Sequence, residues 1–128
     1  MSNYNATGKL SYVANAAIPK HARVVRVAGQ KVGIASVSQK EIGTMENETF
    51  ADGDDACVRS RNDVGTRKMI ASLAIAEGAD VFGAANGKVS NVQGAGAFYV
   101  GSAETAATAD GDIIEVAAYS PLGGAAGS

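Results

Sequence analysis

His21 is the only histidine and Cys57 the only cysteine in 128 residues, so nucleophilic catalysis has few groups to draw on. A Ser-His-Asp or Cys-His arrangement would need His21 as its base, beside Cys57 or a serine. His21 sits in Pro19-Lys20-His21-Ala22, which reads as a turn. One His and one Cys do not make a zinc set either. Asp52, Asp54 and Asp55 surround Gly53, but Ala56 falls where an EF-hand loop needs its third oxygen ligand, and no Glu closes the loop. An acidic surface turn is the better reading.

Phosphate chemistry fares no better. Gly87-Lys88 is followed by Val89 instead of Ser or Thr, and Phe82 replaces the leading Gly of a phosphate-binding loop. Gly94-x-Gly96 continues to Tyr99, not to the third Gly of a dinucleotide fingerprint. Asn5-Ala6-Thr7 and Asn47-Glu48-Thr49 match the glycosylation triplet, but the first 20 residues lack the continuous apolar core of a secretory signal. Tyr4, Tyr12, Tyr99 and Tyr119 lie on separate segments, where ordinary packing with a bonded hydroxyl is the default. The expectation is a protein that is not an enzyme, with no cofactor, no metal and no catalytic residue.

Composition narrows the class further. Net charge −2 and 46% hydrophobic residues fit a globular chain, and the length argues for one domain. No stretch approaches the ~20 apolar residues of a membrane span, so no membrane partner is expected. Ala (25) and Gly (16) make up about a third of the chain. Small side chains bury little apolar area, at ~25 cal/mol per Å². Such a chain is expected to draw stability from partner subunits, and a folded monomer at nanomolar concentration would count against that. Residues 1–40 carry six basic side chains and no acidic one, while residues 41–128 carry all thirteen acidic residues. The six charges are spread out without aromatic interleaving, so a solvated surface or an acidic partner, such as a second copy, suits them better than nucleic acid.

The elements read as short strands and turns. Residues 1–20 form an extended arm with Tyr4, Leu10, Tyr12 and Ile18 as anchors, residues 21–120 a β domain, and residues 121–128 a flexible tail. Residues 24–38 read as a hairpin, 41–50 and the alternating ACVRSR as strands, and Asn86-Gly87 as a type I′ turn, which needs positive φ at both positions. AFYVGSA (97–103) and DIIEVAAY (112–119) add two more strands. TRKMIASLAIAE (66–77) is the one segment that also suits a helix. Self-alignment tells against it. With an offset of 57, residues 18–32 match 75–89 at six of fifteen positions, including Ile18/Ile75, Val24/Val81, Lys31/Lys88 and Val32/Val89. If Lys31-Val32 starts a strand, Lys88-Val89 should as well. The expected fold is mainly β, a small sandwich or barrel with at most one short helix.

From Gly8 to Tyr119 the chain resembles the capsid cement or decoration proteins of tailed-phage heads. The resemblance rests on Gly8 and Tyr12, on Gly33-Ile34-Ala35, on Ile75 to Phe82, on Asn86 to Val89, and on Asp110 to Val116. His21, where such proteins often have Gly, and the acidic stretch Glu46–Asp55 depart from the pattern. The resemblance implies a structural virion protein, made in the host cytoplasm, that stabilises an icosahedral head from outside. Its partner would be a major capsid protein of the HK97-type fold, and its own state a homotrimer. Tyr4, Leu10, Tyr12 and Ile18 would then anchor the arm on the shell, by strand addition and multivalency. Deleting residues 1–15 is expected to abolish head binding and leave the β domain folded. The alternative is a carbohydrate- or host-surface-binding β module.

Overall fold

A computed structural model describes residues 9–60 and 66–117. In the first half, β1 (Lys9–Ala14), β2 (Arg23–Val27), β3 (Lys31–Ile34), β4 (Gly43–Met45) and β5 (Asp55–Ser60) close into a barrel of order β1-β3-β2-β4-β5. The β1–β5 seam is antiparallel and runs from Lys9 opposite Arg59 to Val13 opposite Asp55. In the second half, β6 (Thr66–Ile70), β7 (Asp80–Gly83), β8 (Val89–Ser90), β9 (Tyr99–Ala103) and β10 (Ile113–Ala117) form a sheet of order β6-β10-β9-β7-β8. A parallel bridge from Ala71 to Val89 draws its two edges together. One turn of 3-10 helix, Ala85–Gly87, is the helical content of the described residues. The mainly β expectation holds, and residues 66–70 form a strand.

The two halves are copies of one plan, and the repeat extends well beyond the segment visible by self-alignment. The β1–β3 pair Ala14–Val32 recurs 57 positions on as Ala71–Val89, and Arg26–Val32 as Gly83–Val89. The β4–β5 pair Thr44–Arg59 recurs as Ser102–Ala117, an offset of 58, because the connection before β9 is one residue longer than that before β4. Backbone twist repeats too: His21 (φ 73) with Gly78 (86), Gly29 (86) with Asn86 (61), Gln30 (65) with Gly87 (73), and Gly53 (99) with Gly111 (95). Asn86 and Gly87 both have positive φ, as the hairpin reading requires.

The two cores follow the two halves, except that Ile70 of β6 packs into the first. Ala14, Ile18, Val24, Val32, Met45, Ala56 and Val58 fill the first, and Ala71, Ile75, Val81, Val89, Ala103, Ile114 and Val116 stand at the corresponding places in the second. Met45 with Ala56 in one core becomes Ala103 with Ile114 in the other. This exchange of large and small keeps the packed volume nearly constant, which cores tolerate well.

Three expectations need correction. The described part of the expected arm is not separate from the β domain, because β1 (Lys9–Ala14) is paired to β5 and carries one side of the barrel. Removing residues 1–15 would therefore take out a barrel strand as well as any contact segment. The residues 21–120 are not one β unit, since two cores built on the repeat share them. Ile18 is 1% exposed in the first core, so its side chain is withdrawn from any partner. The tail 121–128 lies outside the described residues.

Candidate interaction surface

The halves meet asymmetrically, and Arg23 is the centre of the contact. Its side chain is fully buried at the start of β2, and its guanidinium serves both halves. Nη2 donates to the carbonyls of Ala84 (2.6 Å) and Ser36 (3.2 Å), and Nε donates to that of Lys88 (2.9 Å). Nη1 faces Glu41 Oε1 at 3.4 Å and the Gln39 carbonyl at 3.3 Å. Burial pulls the Arg23 pKa down from its ordinary range, and Glu41 pushes back. A buried guanidinium needs such a full set of acceptors. Beside it, Gly87 of the second half donates its N–H to Ala35 O of the first (2.9 Å). The turn 84–88 is thus seated on residues 22–35.

A polar groove of about 340 Å³ runs along the same boundary. Lys20, His21, Glu46 and Arg59 line it from the first half, and Lys68 and Glu115 from the second. His21 occupies the left-handed turn position expected of it, its N–H bonded to Met45 O (2.9 Å), as Gly78 N–H is to Ala103 O (2.7 Å). Partial burial holds its pKa below the usual imidazole value, helped by the Lys20 and Lys68 charges and opposed by Glu46.

Cys57 lines a different groove, with Ser11, Tyr12, Asn47 and Asp55. Its N–H donates to Asn47 Oδ1 (2.9 Å), and Asn47 Nδ2 donates to Asp55 O (3.0 Å), so this asparagine braces the β4–β5 connection. Among the described residues, no cluster of three His, Cys, Asp or Glu side chains has metal-binding geometry. The acidic turn is structural. Asp54 Oδ2 accepts the N–H groups of Phe50 (2.8 Å) and Ala51 (3.1 Å), and Asp52 pairs with Lys31 (2.8 Å). Lys88 of the rejected phosphate loop makes the equivalent pair with Asp110 (2.8 Å). No described helix is long and apolar enough to cross a membrane.

Of the candidate anchors, Tyr4 lies outside the described residues, as does Tyr119. Leu10 and Tyr12 are half-buried against the first core, and the Tyr12 ring lies 6.0 Å from the Arg26 guanidinium. Tyr99 packs edge-on against Phe82 in the other half, with centroids 5.9 Å apart. Of the three described anchors, Leu10 and Tyr12 are half-buried and Ile18 is buried, all against the first core. Among the described residues, the large apolar side chains that do face solvent carry no such signal singly in the sequence: Phe50 (75% exposed), Val92 (62%), Ile113 (48%), Phe98 (42%) and Ile34 (37%). The repeat holds a signal for two of them. Phe50 takes the place of Thr108, and Val92 the place of the fully buried Ala35.

Comparison with models of known families and with characterised proteins yields no match to this chain.

Proposed function

We propose that this protein is a structural component that acts by covering surface, as a decoration protein on the outside of an icosahedral phage head. The observation that carries this reading is where the polar chemistry goes. His21 sets a turn, Arg23 fastens the halves, Asp54 and Asp112 cap equivalent turns, and Asn47 braces a connection. What the fold then offers to a partner is surface, with Phe50, Phe98 and Ile113 standing out of it. The sequence resemblance to cement proteins supplies the partner, a shell of HK97-type capsid subunits. A ligand that binds the assembled shell better than free subunits stabilises the shell by mass action. Half-buried Leu10 and Tyr12 lie on β1, and the segment 1–8 with Tyr4 precedes it in the sequence.

The test is co-sedimentation of the purified protein with expanded heads that lack their decoration protein, followed by electron microscopy. Ordered density on the outer surface and heads more resistant to heat are expected. A variant lacking residues 1–8, which leaves β1 whole, is expected to bind more weakly. Heads that stay bare overturn the reading, and retention on a glycan array in that case supports the carbohydrate-binding alternative.

A further inference from the structure

We infer that the polar groove between the halves is a carboxylate-binding site, in which Lys20, His21 and Lys68 receive an acidic side chain of the surface that the protein covers. The repeat shows that the turn itself does not call for these residues. Gly78 makes the same turn in the second half, with the same N–H to carbonyl bond as His21. Beside it stand Glu77 in place of Lys20 and, across the sheet, Ala117 in place of Arg59. Glycine takes a left-handed φ without a Cβ penalty, whereas His21 at φ 73 is strained. Strain kept at a position where the other half avoids it, and in a groove, marks a site of function.

The charges of the groove select the ligand. Among the described residues, the Lys20, His21 and Lys68 side chains have no hydrogen-bond or ion-pair partner. Glu115, opposite Lys68 in the β6–β10 register, accepts the Thr66 hydroxyl (2.9 Å). Lys20, Arg59 and Lys68 against Glu46 and Glu115 leave one positive charge while the imidazole is neutral. A single excess cation suits a carboxylate. Glu46 and Glu115 would repel a dianion or the successive phosphates of a nucleic acid. A volume of about 340 Å³ admits a side chain, not a folded element. Identifying the owner of that carboxylate as the covered shell rests on the function proposed above, but the groove itself does not depend on it.

Binding is coupled to a proton. Partial burial and the Lys20 and Lys68 charges disfavour the imidazolium and Glu46 favours it, with Arg59 and Glu115 lining the same groove. A bound carboxylate adds to the side of Glu46, so the site takes up a proton as it fills. Acid therefore strengthens binding until the empty site is protonated too. If binding raises the His21 pKa by about one unit, affinity gains about tenfold.

A nuclear magnetic resonance titration of the full chain at low salt tests this, with a blocked peptide of alternating glycine and aspartate as the probe. Saturable shifts confined to the groove, with a dissociation constant of about 1 mM or below, are expected. Affinity should be several-fold to about tenfold higher at about pH 5.5 than at about pH 8, since the aspartates stay ionised at both. Lys20→Gln and Lys68→Gln, at exposed sites, should each weaken binding about two- to fivefold with unchanged circular dichroism. His21→Asn, which tolerates the left-handed turn, should leave binding at about pH 8 intact and abolish the gain in acid. No saturable shift up to about 10 mM peptide overturns the assignment. So do equal shifts with an asparagine counterpart of the peptide, tighter binding of inorganic phosphate, or a gain in acid that survives His21→Asn. Peptide binding by a protein that leaves heads bare sinks the capsid reading and keeps the groove, whereas head binding without peptide binding does the reverse.

Discussion

Gly43 and Gly101 stand at the same point of the two halves, each with a backbone carbonyl of the neighbouring strand where a Cβ would sit. The carbonyl belongs to Arg59 in the first half and to Ala117 in the second, with Val58 and Val116 closing the same space. Backbone, unlike the end of a flexible side chain, cannot swing aside. Gly43→Ala and Gly101→Ala should therefore each destabilise by about 1–3 kcal/mol, the usual cost of overpacking. Urea unfolding followed by circular dichroism checks this, with Gly53→Ala, which has open space but φ 99, as a separate measure of backbone strain alone. Stability unchanged by Gly43→Ala would mean that the β4–β5 approach is looser than described.

Arg23 joins the halves, so its loss should show as lost cooperativity as well as lost stability. Arg23→Met leaves the Ala84 carbonyl without its guanidinium donor and Glu41 without its buried cation, and the Lys88 carbonyl keeps only the Ala84 N–H. Removing one partner of a buried ion pair costs about 3–5 kcal/mol. Calorimetry of the variant should resolve two transitions where the parent shows one, because each half retains a core. A single sharp transition at the parent temperature would show that the halves are coupled elsewhere.

How much of this was legible in the sequence can be read off particular residues. Asn86-Gly87 announced its turn because positive φ at two successive positions has a strong residue signature. Ile18/Ile75 and Val32/Val89 revealed the repeat because both members of each pair face a core. The repeat fades past residue 32 because one added residue before β9 shifts the register, and because Met45/Ala103 and Ala56/Ile114 conserve summed volume without conserving identity. Ile18 was misjudged as an anchor for a related reason. A lone apolar residue before a proline gives no periodicity, and its place is set by pairing with Thr49, 31 residues away. Arg23 looked like one more charge in a basic segment, since burial of a guanidinium depends on carbonyls that only the assembled halves bring together.

The capped turns predict behaviour in acid. Asp112 Oδ2 accepts the Thr108 N–H (2.7 Å), the Thr108 hydroxyl (2.8 Å) and the Ala109 N–H (3.2 Å). These bonds favour the ionised carboxylate and hold its pKa below the ordinary 3.8, although the group is exposed. The folded state thus releases this proton more readily than the unfolded one. Its contribution is complete above the unfolded value and is lost as pH falls through the lower folded value. Asp112→Asn should remove that part of the acid dependence and raise the pH midpoint of acid unfolding. Coincident acid-unfolding curves for the variant and parent would count against the cap.

His21 and Gly78 allow strain and titration to be separated. Both hold a left-handed turn, and a side chain there costs about 1–2 kcal/mol. His21→Gly should therefore stabilise, and Gly78→Ala should destabilise, each by about 1 kcal/mol. The imidazole adds a pH term of its own. Burial and the Lys20 and Lys68 charges lower its folded pKa below 6.5, so as pH falls the unfolded chain takes up the proton first. Stability should decline from about pH 6.5 downward until the folded imidazole is protonated as well. His21→Gly should abolish this decline while leaving the acid limb of Asp112 in place. Urea melts at about pH 5 and about pH 8 decide between the two effects. A gain in stability equal at both pH values would assign His21 to backbone strain alone, and a gain that grows toward pH 5 would assign part of it to the charge of the groove.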